Sequence, residues 1–202
     1  NYLLARENLT DHLEKKDKNN KVRQRLLKIR AKKVILATGA LERPLIFNNN
    51  DRPGIMLSTA VKKYADFFGV KCGKKNVFFT NNDSAYESVL CLYNKGIKVD
   101  AIVDIRDNSN SKIVKAVEEA GIKIYWSHTV VDTNGYRRVS NISIMRLSND
   151  GMTVTGKRIN ISCDCLGVAG GWTPAVHLFT QSGGKLKFDE DNNVFLPNKY
   201  PS

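Results

Sequence analysis

Short apolar runs alternate with amphipathic stretches in the middle of the chain. Three runs rich in β-branched and aromatic residues predict strands at 76–80, 98–104 and 122–126. Between them, residues 84–95 and 111–120 place apolar positions at helical spacing, and a glycine follows each stretch. Strand–helix–strand units with short connections are right-handed, so this pattern predicts a parallel sheet.

The pattern then changes to that of an antiparallel meander. Residues 138–147 and 152–158 alternate apolar and polar positions, and Ser148-Asn149-Asp150-Gly151 separates them. Asp-Gly between two alternating runs is a strong hairpin signal. A further apolar run, residues 163–169, predicts another parallel strand that ends at Gly170-Gly171.

Extended segments are also predicted before the middle of the chain. Residues 2–6 and 22–30 flank a polar tip at 18–20, which predicts an N-terminal β-hairpin. The run 34–37 predicts a buried strand that stops at Thr38-Gly39. Because glycine has no Cβ, it allows a sharp turn there and the close approach of a phosphate or ribose.

Composition limits the class of protein. Of the 202 residues, 42% are hydrophobic, which suffices for a packed core. No apolar run reaches about 18 residues, and Asn1-Tyr2-Leu3-Leu4 leads into charge. We therefore expect no membrane span, no signal peptide and a cytoplasmic location. Because the chain starts at Asn1 rather than at a methionine, and its last residues resemble a cut, we expect a fragment of a longer protein.

The net charge of +12 would suit a nucleic acid or an acidic protein partner. The basic residues are spread along the chain, and no basic motif interleaved with aromatic residues occurs. We therefore expect no nucleic-acid binding. A solvated surface explains the charge best, and a surface that faces a protein partner is the alternative.

The sequence lacks the spacings that are typical of catalytic and metal sites. His12, His128 and His177 form no pair with metal-ligand spacing. No paired carboxylates indicate general acid/base chemistry. The cysteines contain no Cys-x-x-Cys pair, so we expect free thiols. We thus expect no catalytic residue, no metal and no redox disulfide in this chain; its cysteines are Cys72, Cys91, Cys163 and Cys165.

Three stretches carry a resemblance to a known family. The first joins Glu42-Arg43-Pro44 to Asn48–Met56, the second is Val77–Tyr86, and the third is Gly170–Leu186. From about Ala31 to the C-terminus, the chain resembles the α subunit of heterotetrameric sarcosine oxidases, and it looks like a central fragment of it.

The resemblance implies a fold and a domain layout. The fold would be α/β of the FAD/NAD-binding type, a Rossmann-like three-layer domain with an inserted antiparallel meander. Residues 1–72 and 169–202 would form part of a first dinucleotide-binding domain. Residues 75–168 would form an inserted second nucleotide-binding domain.

The resemblance also implies an activity for the complete complex, which is a flavoprotein heterotetramer. Sarcosine would be oxidatively demethylated, with electrons passing to oxygen and the one-carbon unit to tetrahydrofolate. NAD would bind the α subunit, whereas FAD, FMN and tetrahydrofolate would lie outside this fragment. The β subunit and the other subunits would be its partners, and the fragment alone would be inactive.

The phosphate loop of a dinucleotide site is missing from the middle unit. Such a loop reads Gly-x-Gly-x-x-Gly between strand and helix, but residues 80–85 contain no glycine. Asn82 or Asp83 is a candidate helix N-cap, and a carboxylate there competes with a bound anion. A self-capped structural turn is therefore favoured over a phosphate cradle. Asp104 is either a ribose-binding acid or part of a strand-end salt bridge with Arg106.

Candidate cofactor-binding residues lie at the ends of the predicted strands and in the connector that follows the predicted strand at residues 34–37. Glu42 and Arg43 either pair with each other or contact a cofactor edge, and Trp172 either shields a cofactor face or packs at a strand end. The full set is Ala37, Thr38, Gly39, Glu42, Arg43, Asn81, Asn82, Asp83, Asp104, Gly170, Gly171 and Trp172.

Three alternatives stay open. A stand-alone pyridine-nucleotide-disulfide-type oxidoreductase would need a working phosphate loop and a redox group. A basic subunit-docking module without nucleotide would show salt-sensitive binding to a partner. An opine or another secondary amine could replace sarcosine, because the substrate residues would lie on the β subunit.

Overall fold

A computed structural model describes residues 2–15 and 21–201. The predicted hairpin tip at 18–20 lies outside the described residues. The strands are β1 Tyr2–Asn8, β2 Gln24–Arg30, β3 Ala40–Glu42, β4 Ile55–Leu57, β5 Asn76–Thr80, β6 Val99–Asp104, β7 Ile124–Tyr125, β8 His128–Asn134, β9 Asn141–Leu147, β10 Val154–Ser162, β11 Cys165–Ala169, β12 Trp172–Pro174, β13 Lys185–Asp189 and β14 Val194–Lys199. The helices are α1 Ser58–Asp66, α2 Ser84–Asn94, α3 Lys112–Glu119 and α4 His177–Gln181.

The chain divides into two compact units. The first comprises residues 1–39, 176–187 and 197–202, and the second comprises residues 40–175 and 188–196. In the first unit, β1 and β2 form the predicted antiparallel hairpin, with Tyr2 opposite Arg30 and Asn8 opposite Gln24. The division into a partial first domain and an inserted second one at 75–168 stays a prediction.

A five-stranded parallel sheet, in the order β4-β11-β5-β6-β7, forms the centre of the second unit. Both faces of this sheet are covered, so its strands read as continuous apolar runs rather than as alternating ones. Phe78 and Ile102 point to the face that carries α1, α2 and α3. Their neighbours Val77, Phe79 and Val103 point to the opposite face, as the two-residue period of a strand requires.

The antiparallel meander β10-β9-β8 covers that opposite face. Val130, Ile142 and Ile144 of the meander pack in one cluster with the sheet residues. The unit therefore has three layers: helices, parallel sheet and meander. The predicted α/β fold of the FAD/NAD-binding type with an inserted meander is confirmed.

Helices α2 and α3 end at the positions that the sequence predicted. Gly96 follows α2 with φ +70°, and Gly121 follows α3 with φ +72°. Both glycines are in the left-handed region that terminates helices. Ser111 caps α3, because its hydroxyl accepts a hydrogen bond from the backbone N–H of Val114 at 3.4 Å.

The strand predicted at residues 34–37 is wrong for this structure. Residues 31–39 contain no strand, and the side chain of Ile35 is 92% exposed. An apolar segment becomes a strand only where a neighbouring strand accepts its hydrogen bonds, and no described strand lies beside it. The sequence also missed β4, β8 and α1, which precede or extend the predicted units.

Candidate functional site

The carboxyl ends of the parallel strands form the edge at which open α/β sheets bind ligands. Thr80, Asp104 and Ala169 end three neighbouring strands there. The structure places most of the predicted site residues of the second unit at or beside this edge. They are Asn81, Asn82, Asp83, Asp104, Gly170, Gly171 and Trp172.

The loop between β5 and α2 uses its polar groups on itself. The Asn82 side-chain oxygen accepts hydrogen bonds from the Ser84 backbone N–H at 3.0 Å and from the Ser84 hydroxyl at 2.5 Å. The Asn82 amide group donates to the Ala169 carbonyl at 3.2 Å, and the Thr80 hydroxyl donates to the Asn82 carbonyl at 2.9 Å. Asn82 therefore connects the start of α2 to the end of β11. Its side-chain oxygen also takes the hydrogen bond of the Ser84 backbone N–H, which a bound phosphate would need as a donor.

Arg106 joins Asp83 to Asp104 beside this loop. It donates to Asp83 at 2.7 Å and to the two carboxylate oxygens of Asp104 at 3.1 and 2.8 Å. Burial alone would lower the pKa of the Arg106 guanidinium, but its hydrogen bonds to the two carboxylates raise the pKa on balance. The guanidinium is thus held charged between two acids of its own chain.

Asp83 is an acid of the helix start rather than a free anion-binding position. Its carboxylate also accepts a hydrogen bond from the Ser109 hydroxyl at 3.2 Å. Burial alone would raise the pKa of Asp83, but the Arg106 and serine hydrogen bonds lower it on balance. A negative charge therefore stands at the N-terminus of α2, where a pyrophosphate would be attracted.

Asp104 is completely buried and fully hydrogen-bonded. Besides the two Arg106 side-chain contacts, it accepts from the Arg106 backbone N–H at 3.0 Å and from the Tyr86 hydroxyl at 2.8 Å. A ribose hydroxyl would have to displace one of these partners. Of the two interpretations that the sequence left open, the geometry favours the strand-end salt bridge.

Glu42 and Arg43 do not pair with each other. Glu42 accepts hydrogen bonds from the Ser58 hydroxyl at 2.8 Å, from the Thr59 backbone N–H at 3.1 Å and from the Thr59 hydroxyl. It thereby caps α1 from a strand sixteen positions earlier in the sequence, a role that sequence spacing did not indicate. Arg43 donates to the carbonyls of Asn192 and Asn193, both at 3.1 Å.

The double glycine after β11 accommodates the connector around Arg43. A Cβ on Gly170 would lie 2.8 Å from the Pro44 carbonyl oxygen, and Gly171 has φ +98°. The Gly170 backbone N–H donates to the Arg43 carbonyl at 2.7 Å, and the Arg43 N–H donates to the Gly171 carbonyl at 2.8 Å. Close packing of two backbone segments therefore explains both glycines without a ligand.

Trp172 contacts the start of α2 through its ring N–H, which donates to the Ser84 hydroxyl at 3.2 Å.

Ala37, Thr38 and Gly39 belong to the first compact unit and are exposed. Gly39 has φ +68°, and a Cβ there would meet no atom within 4 Å. Its conformation favours glycine, whereas the space around it is open.

Sequence reasoning missed Tyr86, Ser58 and Thr59 as members of this edge. Tyr86 could have been found, because it lies on the first turn of α2 and is followed eighteen positions later by an acid at a strand end. No local signal connects Ser58 and Thr59 to Glu42.

Taken together, the residues at this edge do not fit a dinucleotide. A dinucleotide cradle offers free backbone N–H groups, glycines that permit close approach, and an acid free to bind ribose. Here Asn82 takes the Ser84 N–H, Asp83 adds a negative charge, and Asp104 is buried under Tyr86 and Arg106.

Metal-ligand clusters and thiols are the other candidate sites of chemistry. Within residues 2–15 and 21–201, no three His, Cys, Asp or Glu side chains are grouped so that they could hold a metal. The four cysteines are free, and burial raises the pKa of the Cys163 and Cys165 thiols to about 12. None of the described helices is long and apolar enough to cross a membrane.

The three layers of helices, parallel sheet and meander are those of a nucleotide-binding-type domain of the flavoprotein oxidoreductases. The chain belongs to the pyridine nucleotide-disulphide oxidoreductase family, whose pattern it matches over residues 5–201.

Relatives of known name support the resemblance seen in the sequence. The chain is 40% identical over 200 residues to the sarcosine oxidase subunit alpha of Corynebacterium sp. (strain P-1), which is 98% of this chain and 20% of that protein. It is 36% identical over 174 residues to the sarcosine oxidase subunit alpha of Rhizobium meliloti (strain 1021), covering 86% of this chain and 16% of that protein. The predicted resemblance is confirmed, and the chain spans about a fifth of the length of these relatives or less.

Solved structures agree on the fold. The thioredoxin reductase of T. acidophilum superposes with a TM-score of 0.61 at 18% identity, over 89% of this chain and 61% of that chain. The L-proline dehydrogenase of P. horikoshii gives a TM-score of 0.52 at 24% identity, over 86% of this chain and 28% of that chain. At such identities the likeness shows the fold alone.

Proposed function

We propose that this chain is the central cofactor-binding and scaffolding segment of the α subunit of a heterotetrameric sarcosine oxidase. In the complete complex, sarcosine is oxidatively demethylated, electrons pass to oxygen and the one-carbon unit passes to tetrahydrofolate. The observation that carries the proposal is the 40% identity along 98% of the chain to a sarcosine oxidase α subunit.

The geometry supports a scaffolding role for the second compact unit. Its carboxyl edge is closed by its own side chains, so NAD binds the α subunit outside this edge. Thr38 and Gly39 then contribute to NAD binding from the first compact unit, in the complete α subunit. Such a role explains why the edge keeps the shape of a nucleotide site while Asn82, Asp83 and Asp104 bind other protein groups.

The chemistry belongs to other parts of the complex. FAD, FMN and tetrahydrofolate bind outside this segment, and the β subunit oxidises the amine in the cytoplasm. Among the described residues, no metal-type cluster and no disulfide provides a redox centre. We expect the segment by itself to be inactive, because the flavins and the amine-oxidising site belong to other parts of the complex.

The proposal is tested by sarcosine-dependent oxygen consumption of the purified complete complex. We expect turnover with sarcosine and formaldehyde or methylene-tetrahydrofolate as the one-carbon product. Turnover of an opine or another secondary amine, without sarcosine turnover, would identify a sibling amine oxidase. NAD(P)H oxidation by the α subunit alone would favour a stand-alone pyridine-nucleotide reductase and would contradict the proposal.

A further inference from the structure

Exposed aromatic side chains cluster on the last turn of α1 and in the residues that follow it. Its inward face consists of Ser58, Val61 and Ala65, which are buried. Just beyond the helix end, Phe67 and Phe68 are 77% and 56% exposed, and Tyr64 is 44% exposed. Packing of α1 onto its own unit therefore does not explain these aromatic residues.

The aromatic side chains form one contiguous surface. The ring centroids of Phe67 and Phe68 are 4.9 Å apart in an edge-to-face arrangement, and those of Tyr64 and Phe68 are 5.8 Å apart. Val70, which is 48% exposed, is fixed beside them because its backbone N–H donates to the Tyr64 carbonyl at 2.8 Å. Tyr64, Phe67, Phe68 and Val70 are called the aromatic patch below.

Contiguous apolar surface of this kind is uncommon on soluble proteins and marks interaction sites. Large aromatic side chains are enriched among the residues that carry most of the binding energy in protein interfaces. Because these rings already contact one another, little side-chain freedom is left to lose when a partner binds.

The charges around the aromatic patch indicate the chemistry of the partner. The segment 58–75 contains five lysines and one aspartate. The aspartate, Asp66, is paired with Lys95 at 3.0 Å, whereas Lys63 and Lys71 make no ion pair among the described residues. The segment that carries the patch is therefore net positive and fits a surface with carboxylates around an apolar centre.

A protein partner fits this surface better than an anionic membrane does. Carboxylates stand within the same region, at Asp66 and at Glu87, which lies 3.9 Å from Lys62. Membrane phosphates would repel these acids, whereas a folded protein can place a donor opposite each of them.

We propose that the aromatic patch docks another subunit of the enzyme complex through an apolar surface rimmed by carboxylates. The proposal rests on the proposed function in one respect: the partner is a subunit of the same enzyme complex. Phe67 and Phe68 fill the apolar centre, and Lys63 and Lys71 attract the acidic rim.

The test compares the complete α subunit with its F67S/F68S variant. Association with the purified partner subunits is measured by light scattering and by surface plasmon resonance. Loss of two central aromatic anchors is expected to weaken assembly at least about tenfold. The matched control is Tyr136→Ser, which removes an aromatic residue that is 97% exposed elsewhere in the same unit and should leave assembly unchanged.

A second variant keeps the test independent of apolar packing. In K63E/K71E, reversal of two charges of this segment should slow association at low salt and reduce its salt dependence. Enzyme activity is measured separately, so an assembly defect in a complex that does not oxidise sarcosine would still support the docking surface.

Four outcomes would overturn the proposal. In the first, F67S/F68S assembles as tightly as the wild type. In the second, the isolated variant subunit has a lowered melting temperature but unchanged partner affinity, which means that the patch is covered within its own chain. In the third, the isolated α subunit dimerises through the patch. In the fourth, the patch binds phosphatidylserine vesicles while subunit assembly is unaffected.

Discussion

The Tyr86 hydroxyl donates a hydrogen bond of 2.8 Å to the carboxylate of Asp104, and both side chains are completely buried. This contact fastens the first turn of α2 to the end of β6. Burial raises the pKa of the Tyr86 phenol, and the neighbouring Asp104 charge raises it further. The Tyr86 phenol therefore stays protonated at neutral pH and donates to Asp104.

Replacement of Tyr86 by phenylalanine should destabilise the fold. The change removes one donor from a buried carboxylate, and a hydrogen bond to a charged group contributes about 1.5–3 kcal/mol. Urea denaturation of the purified chain measures this loss. Tyr93→Phe, at a tyrosine that is 48% exposed, is the control and should change stability by less than about 0.5 kcal/mol. Equal stability of the two variants would contradict the role of Tyr86.

Gly167→Ala should be destabilising because β11 passes directly over the Phe78 ring. A Cβ at Gly167 would lie 2.6 Å from a ring carbon of Phe78, which is completely buried. Overpacking of this kind costs about 1–3 kcal/mol. In a Phe78→Leu background the same substitution should cost less, since the ring is gone. A double-mutant cycle without coupling would show that the strand moves aside instead.

Cys163 and Cys165 should resist thiol reagents in the folded chain. Their thiols are buried, and burial raises their pKa to about 12. At pH 8 only about one part in ten thousand would be thiolate, which is the reactive form. Mass spectrometry after native treatment with iodoacetamide should find both residues unmodified, and treatment in guanidinium should modify both. Rapid native labelling would instead indicate a reactive or redox role.

Asp164 should contribute stability that is lost in acid. Burial alone would raise the pKa of its carboxyl, but the backbone N–H groups of Lys75 and Lys74, at 2.8 and 3.1 Å, lower it on balance. The contribution is complete above the unfolded pKa of about 3.9 and is lost as the pH falls through the lower folded value. Asp164→Asn should therefore reduce stability at pH 7 and flatten its decline below about pH 4. A parallel decline in the variant would assign the acid sensitivity to other groups.

Elements with strong local signals were predictable from the sequence. β5 and β6 are continuous apolar runs, α2 and α3 have apolar positions at helical spacing, and glycines in the left-handed region end both helices. Helix α1 was missed because it follows Leu57, which provides no side-chain cap, and no acidic residue marks its first turn. The run 34–37 misled for the opposite reason: its composition is that of a buried strand, but pairing depends on a neighbour that sequence pattern cannot supply.

The sequence predicted where the candidate edge lies, but it predicted few of the hydrogen bonds that its residues make. Glycine-free residues 80–85 already indicated a self-capped turn, and Asn82 binds Ser84 accordingly. The partners of Glu42 and of Asp104 could not be read from spacing, because Thr59 and Tyr86 lie on other elements. Such contacts arise only after the sheet has brought its strand ends together.

The central claim is that NAD binds outside the carboxyl edge of the second unit. Calorimetric titration of NAD into the complete α subunit, its Asp83→Asn variant and its Thr38→Trp variant tests it most directly. Were a pyrophosphate bound at the start of α2, loss of the Asp83 charge about 4 Å away would tighten binding at least about fivefold. The account predicts an unchanged affinity for Asp83→Asn and a weakened one for Thr38→Trp. Tighter binding by Asp83→Asn, with unchanged binding by Thr38→Trp, would contradict it.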